Sequence, residues 1–178
     1  MQNQTCSWTT SETSVAAWGT KLSEPRQGVM LHYDASASDK GAMEWLLNDP
    51  RCKVSYTWLI LDNGAQLTVA PPNARAWHAG VCRPSNPKLT YRDANSAFYG
   101  IAIAAKDGER ATKAQEVAVL RLCHALFAHH HGSFQDALWR VVGHDTEAWP
   151  RGRKWDPTGS DPSKPVLSVA EIRELLKD

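Results

Sequence analysis

Apolar positions in this chain fall into short runs of strand character that alternate with stretches of helical spacing. Gly28 to Tyr33 is a continuous apolar run with a histidine near its tip, the pattern of a strand buried on both faces. Ser38 to Asn48 carries Met43, Leu46 and Leu47 at helical spacing and stops at Asp49-Pro50, because proline disfavours helix in the residue before it. Val54 to Leu61 is rich in β-branched and aromatic residues and predicts a central strand; Asp62-Asn63-Gly64 predicts a hairpin turn into Gln66 to Val69. From Pro71 to Asn95 the chain is loop-like, with four prolines around Trp77-His78-Ala79-Gly80, and loops of that length in compact domains are usually functional. Tyr99 to Ala105 predicts another buried strand. Thr112-Lys113-Ala114-Gln115 is a capping box opening the longest helix, expected to run to about His131, apolar on most of its circumference and buried against the sheet. A short apolar run, Trp139 to Val142, leads into a polar loop that closes near Pro157, and Ser168 with Glu171 opens the last helix. Strands alternating with helices predict a single α/β domain with a central mixed β-sheet flanked by helices. Residues 1–27, rich in Ser, Thr, Gln and Gly, read as an irregular N-terminal arm packed on the domain formed by 28–178.

Composition narrows the class. A chain of 178 residues suits one domain with a substantial core. With 20 basic against 19 acidic residues the formal net charge is +1, so no nucleic-acid partner is indicated. No stretch approaches the roughly 18 to 20 apolar residues of a membrane span. Met1 to Cys6 has neither a basic nor an apolar leader segment, so the expectation is synthesis in the cytoplasm without a signal peptide. Cys6, Cys52, Cys82 and Cys123 form no Cys-x-x-Cys pair and read as reduced structural thiols. Of eight tryptophans, Trp77, Trp149 and Trp155 fall within or beside the polar segments, where indole faces suit sugar rings.

The candidate chemistry lies at the two ends of the domain. His144 and Asp156 bound one loop and are both competent Zn²⁺ ligands; His32, at the tip of the first strand, is the third candidate. Together they leave one tetrahedral position open, as catalytic zinc requires. Lys154 lies two residues before Asp156, so in an extended loop both side chains point to one face, where an ammonium can stabilise a developing oxyanion. The run His129-His130-His131 is read instead as a complement to the helix dipole, since consecutive helical residues point in different directions.

These residues carry a family resemblance. His32-Tyr33, Ser55 to Ile60 with Asn63-Gly64, Ala76-Trp77-His78-Ala79-Gly80, Asn95 with Gly100-Ile101, and His144 through Pro157, in that order and spacing, resemble the zinc-dependent N-acetylmuramoyl-L-alanine amidases of the amidase-2 type, which share a fold with peptidoglycan recognition proteins. The resemblance implies hydrolysis of the amide between N-acetylmuramic acid and L-alanine, with peptidoglycan or a muropeptide as partner and Zn²⁺ as cofactor; a monomer is the expected working unit, although the sequence does not itself fix the oligomeric state. It also implies a catalytic role for Lys154. Tyr56 matches the tyrosine that the phage lysozyme-like branch uses beside its zinc, which favours a lytic, endolysin-type enzyme. His78 would close the site as a fourth ligand, so it is expected in the groove against substrate, with Trp77 and Asn95 as neighbours; Arg83, Arg151 and Arg153 are candidates to meet stem-peptide carboxylates. Three positions depart from the pattern: Ala102 where the muropeptide-recycling branch has a glutamate, Thr57 where many members have a histidine, and Asp34 where many have a threonine. The alternatives are a cytosolic muropeptide-recycling amidase and a non-catalytic peptidoglycan-binding module. A lytic enzyme would act in the periplasm or cell wall after release.

Overall fold

The computed structural model describes residues 18, 19, 21–130 and 135–177. What was expected of residues 1–17, including Cys6, and of His131 lies outside them. In chain order the elements are β1 (Trp18–Gly19), β2 (Gly28–Tyr33), α1 (Asp39–Met43) continuing as a π-helical turn (Glu44–Asn48), β3 (Trp58–Ile60), β4 (Gln66–Thr68), β5 (Arg75–Ala76), α2 (Ala94–Ala97), β6 (Phe98–Ile103), α3 (Lys113–His130), a 3₁₀ turn (Gln135–Arg140), β7 (Val141–Gly143), α4 (His144–Glu147) and α5 (Val169–Leu175). The main sheet has the order β4-β3-β6-β2-β7, and β1 pairs with β5 in a separate two-stranded ladder. β2 runs parallel to both β6 and β7, β3 is parallel to β6, and β4 is antiparallel to β3. The mixed α/β sheet is the one expected from the pattern of strands and helices.

All six residues of β2 and of β6 are buried, because both faces of the parallel sheet are covered. The two-residue period still sorts their side chains. Val29, Leu31, Tyr33, Tyr99, Ile101, Ile103 and Val141 join Leu122 and Phe127 of α3 and Ile172 of α5 in one core. On the opposite face Leu59 and Ala102 pack with Ala42 and Leu46, while Met30, Phe98 and Val142 pack with Leu89 and Tyr91. His32 belongs to that second face, with Ala102 beside it in register and Gly100 beside Met30.

The predicted caps form. The Thr112 backbone N–H donates to Gln115 Oε1 at 2.9 Å and the Gln115 N–H to Thr112 Oγ1 at 3.1 Å, a reciprocal capping box. Gln115 Nε2 also donates to the Ala104 carbonyl at 2.9 Å, fastening the helix start to the sheet. The Glu171 N–H donates to Ser168 Oγ at 3.2 Å at the start of α5. In the hairpin after β3, Gly64 takes φ +81°, where a Cβ would be strained.

Four expectations about elements need correction. The strand predicted over Val54 to Leu61 forms a ladder only at Trp58–Ile60, because the Ser55 N–H is taken by the carbonyl of Trp77 in the crossing loop. α3 buries one stripe, Ala118, Val119, Leu122, Cys123 and Phe127, while Arg121, His124 and Ala125 are exposed among the described residues; the helix covers one face of a sheet with that stripe. The apolar run from Trp139 splits between the 3₁₀ turn and β7. The polar loop after Gly143 begins with the helical turn α4.

Candidate active site

His32 is the fifth of the six residues of β2, and His144 follows β7 directly, so both emerge at the carboxyl ends of neighbouring parallel strands, where open α/β sheets place their ligands. Asp156 is carried in by the loop after α4, which is fixed by the Asp145 N–H donating to the Asp156 carbonyl at 2.7 Å. Among the described residues these three form a group whose ligand atoms all lie within 4.8 Å of one another. Cys52, Cys82 and Cys123 are free thiols.

The orientation of the two imidazoles can be worked out from their outer nitrogens. His144 Nε2 lies 2.8 Å from the Ala79 carbonyl, which only accepts, so Nε2 carries the proton. His78 Nε2 likewise faces the Phe98 carbonyl at 3.3 Å, which makes His78 Nδ1 an acceptor, and His32 Nε2 donates to it at 2.9 Å. Burial holds His32 down to about 4 and His78 well below its ordinary value, so both rings are neutral near pH 7. The inner Nδ1 atoms of His32 and His144 both face one carboxylate oxygen, Asp156 Oδ2, at 2.7 and 3.0 Å. At Asp156 burial acts to raise the pKa, but hydrogen bonding and charge from His144 and His32 outweigh it and hold the group below the usual carboxylate range. Two imidazole nitrogens and a carboxylate thus converge in one buried cluster. The donor set, two imidazoles and one carboxylate, is that of a catalytic zinc site.

The cluster sits in the wall of a cavity of about 430 Å³ whose lining includes Asp34, Trp45, Tyr56, Lys154 and Trp155. Tyr56 packs its ring 5.1 Å from that of His32, and its hydroxyl is pushed well above its ordinary pKa by burial and then by the charges of Asp156 and Asp34. It therefore stays protonated near neutral pH. Lys154 is exposed at the rim, near enough for its charge to help depress His32. Asp34 Oδ1 accepts from the Ser36 and Ala105 N–H groups at 3.1 and 3.2 Å.

The expected neighbours are brought close, but in different ways. His78 lines the cavity while both its ring nitrogens are engaged inside the protein. Asn95 spends its Oδ1 on the backbone N–H groups of His78 and Ala79, at 2.9 and 2.8 Å. Trp77 is 39% exposed on an adjoining groove, with the Arg75 guanidinium 3.8 Å above its ring. Arg153 donates to the Ala79 and Val81 carbonyls at 3.1 and 2.8 Å, Arg151 to the Arg83 carbonyl at 3.1 Å, and Arg83 stacks on Trp149 at 4.1 Å. These arginines tie two loops together. Glu147, fully buried, was not singled out from the sequence; it accepts from the Tyr91 hydroxyl at 2.5 Å and from Ser85, fastening the 79–91 loop to α4. Its partners lie 56 and 62 residues away, so nothing local marks it.

The family model described as N-acetylmuramoyl-L-alanine amidase matches residues 22–159. Among solved structures, AmpD, studied as a selenomethionine derivative, is similar over 94% of this chain and 92% of its own, with 20% identity and a TM-score of 0.67. The amidase AmiD from E. coli, solved with anhydro-N-acetylmuramic acid-L-Ala-D-gamma-Glu-L-Lys, is similar over 84% of this chain and 56% of its own, with 21% identity and a TM-score of 0.63. The N-acetylmuramoyl-L-alanine amidase LysC from Clostridium intestinale is similar over 90% and 93%, with 16% identity and a TM-score of 0.61. A sequence comparison with curated proteins finds no match.

Proposed function

The chain belongs to the N-acetylmuramoyl-L-alanine amidase family, and from that premise we propose that it cleaves the amide between N-acetylmuramic acid and L-alanine in peptidoglycan, with one Zn²⁺ held by His32, His144 and Asp156. The observation that carries this reading is the pair of Nδ1 atoms turned on Asp156 by outer nitrogens tied back into the protein. When bound, zinc supplies Lewis acidity and lowers the pKa of a water to about 7.

The rest is done by the chain itself. Lys154, at the rim, stabilises negative charge developing on the carbonyl oxygen. Tyr56, protonated and packed on His32, donates a hydrogen bond to the reacting oxygen or orients the water. Trp155 and Trp45, 57% and 40% exposed at the cavity, offer indole faces to the sugar, and Trp77 with His78 and Asn95 shapes the adjoining groove. The working unit is a monomer, with residues 28–178 as the catalytic domain and the described residues before Gly28 as an arm along it. In support of the arm, Trp18–Gly19 pairs with β5, and Arg26 donates to carbonyls of Ala74 and Ser96.

The lytic, endolysin-type reading is favoured over muropeptide recycling by Ala102, which lies beside His32 in register and brings no carboxylate, and by Tyr56 over the His32 ring. No helix among the described residues is long and apolar enough to cross a membrane. The test is digestion of purified sacculi followed by mass spectrometry, with soluble muropeptides in parallel. New L-alanine amino termini from intact sacculi, lost on chelation and restored by zinc, are expected. Cleavage of soluble muropeptides alone would establish the recycling enzyme, and sacculi bound but uncut under zinc would establish a binding module.

A further inference from the structure

His78 is neither a member of the three-residue group nor free to bond substrate through its ring nitrogens, yet it is held at its backbone, its ring face and both ring nitrogens. Its backbone N–H and that of Ala79 share Asn95 Oδ1. Its ring lies against Gly100, where a Cβ would come within 2.7 Å of His78 Cγ; a side chain in that buried strand would displace the imidazole. The ring stands edge-on to His32, centroids 5.0 Å apart at 84°.

From this geometry we infer that His78 is a positioning residue: it passes the polarity of the Phe98 carbonyl through its own ring to His32, fixing the His32 proton on Nε2 and leaving the Nδ1 lone pair for the metal. The Phe98 carbonyl can only accept, so it orients His78; His78 Nδ1 can then only accept, so it orients His32. His144 reaches the same state in one step, from the Ala79 carbonyl. The segment that holds both rings is therefore one short stretch, His78-Ala79, anchored by Asn95. Ligating histidines are commonly held through their second nitrogen in this way, and loss of such a partner typically lowers metal affinity about 10- to 100-fold.

The inference rests on the proposed metal site, so its test begins without metal. In the chelated wild-type protein near pH 7, long-range ¹H–¹⁵N spectra of the imidazoles are expected to show His78 and His32 as neutral rings protonated on Nε2. In His78→Leu, His32 is expected to lose that single tautomer, and zinc affinity measured by chelator competition to fall about 10- to 100-fold. His78→Asn, whose Oδ1 sits near the place of Nδ1 and accepts a hydrogen bond, is expected to recover most of the affinity. A His32 proton on Nδ1 in the wild type would overturn the inference, as would His78→Leu binding zinc at wild-type affinity, or His78→Asn as impaired as His78→Leu when both melt like the wild type. Should His78→Leu not fold, the wild-type spectrum and the Asn variant still decide. A wild-type protein that shows the expected tautomers but takes up no zinc would refute the metal site and leave the His78-to-His32 relay standing.

Discussion

The two faces of strands β2 and β6 are built from alternate residues of the same few positions, and they do opposite things. The face toward α3 and α5 is mainly apolar: Val29, Leu31, Ile101 and Ile103 meet Leu122, Phe127 and Ile172. The other face carries His32 beside Ala102 and leaves Gly100 bare so that His78 can enter. Burying polar rings is costly unless each nitrogen is matched. Here the outer nitrogen of His144 meets the Ala79 carbonyl, that of His32 meets His78, which is itself set against the Phe98 carbonyl, and both inner nitrogens face Asp156. The lesson is a division of labour, in which one face supplies folding free energy while the other gathers a group that could hold a metal ion.

That division is best broken from the polar side first. His144→Ala removes one of three ligands; zinc content should fall from one per chain toward none and activity to the detection limit, with circular dichroism little changed. Stoichiometric zinc in this variant, by elemental analysis, would refute the assignment.

From the apolar side, Phe127→Ala opens a cavity under α3 and should cost about 3–5 kcal/mol of stability, a factor of roughly 10² to 10⁴ in the folding equilibrium. The variant should keep wild-type zinc affinity at temperatures where it is folded. Denaturant melts with chelator competition on the same sample check both halves, and a matching loss of zinc affinity would show that the faces are not independent.

Lys154→Met should leave zinc and melting temperature unchanged and lower kcat on the order of 10²-fold or more, because the charge acts mainly in the transition state. A rise in KM with kcat intact would make Lys154 a binding residue. The mildest change, Tyr56→Phe, deletes one hydroxyl and keeps the ring against His32. Dye release from labelled sacculi should show kcat lowered by roughly 10- to 10³-fold at unchanged zinc content; full activity would return Tyr56 to a packing role.

What the sequence determined by itself was local. The apolar run of β2, the Asn-Gly hairpin, the capping box at Thr112 and the Ser168 cap are settled by steric and hydrogen-bonding preferences within a few residues, and each appears where its pattern stands. The metal-competent residues were legible too, since few residue types can ligate zinc, His32 and His144 stand near strand ends and Asp156 lies in the loop that follows. Tertiary structure alone decided what those residues face. His32 meets Asp156 across 124 positions and His78 across 46, Asn95 turns inward to clamp the His78 loop, and Arg151 and Arg153 donate to carbonyls of the facing loop. α3 shows the same limit in its packing, for its composition could not say that only one side would find a sheet. The reason is physical: a periodic pattern fixes which side of its own element a residue takes, whereas the tautomer of a histidine depends on which carbonyl the folded chain sets against its far nitrogen.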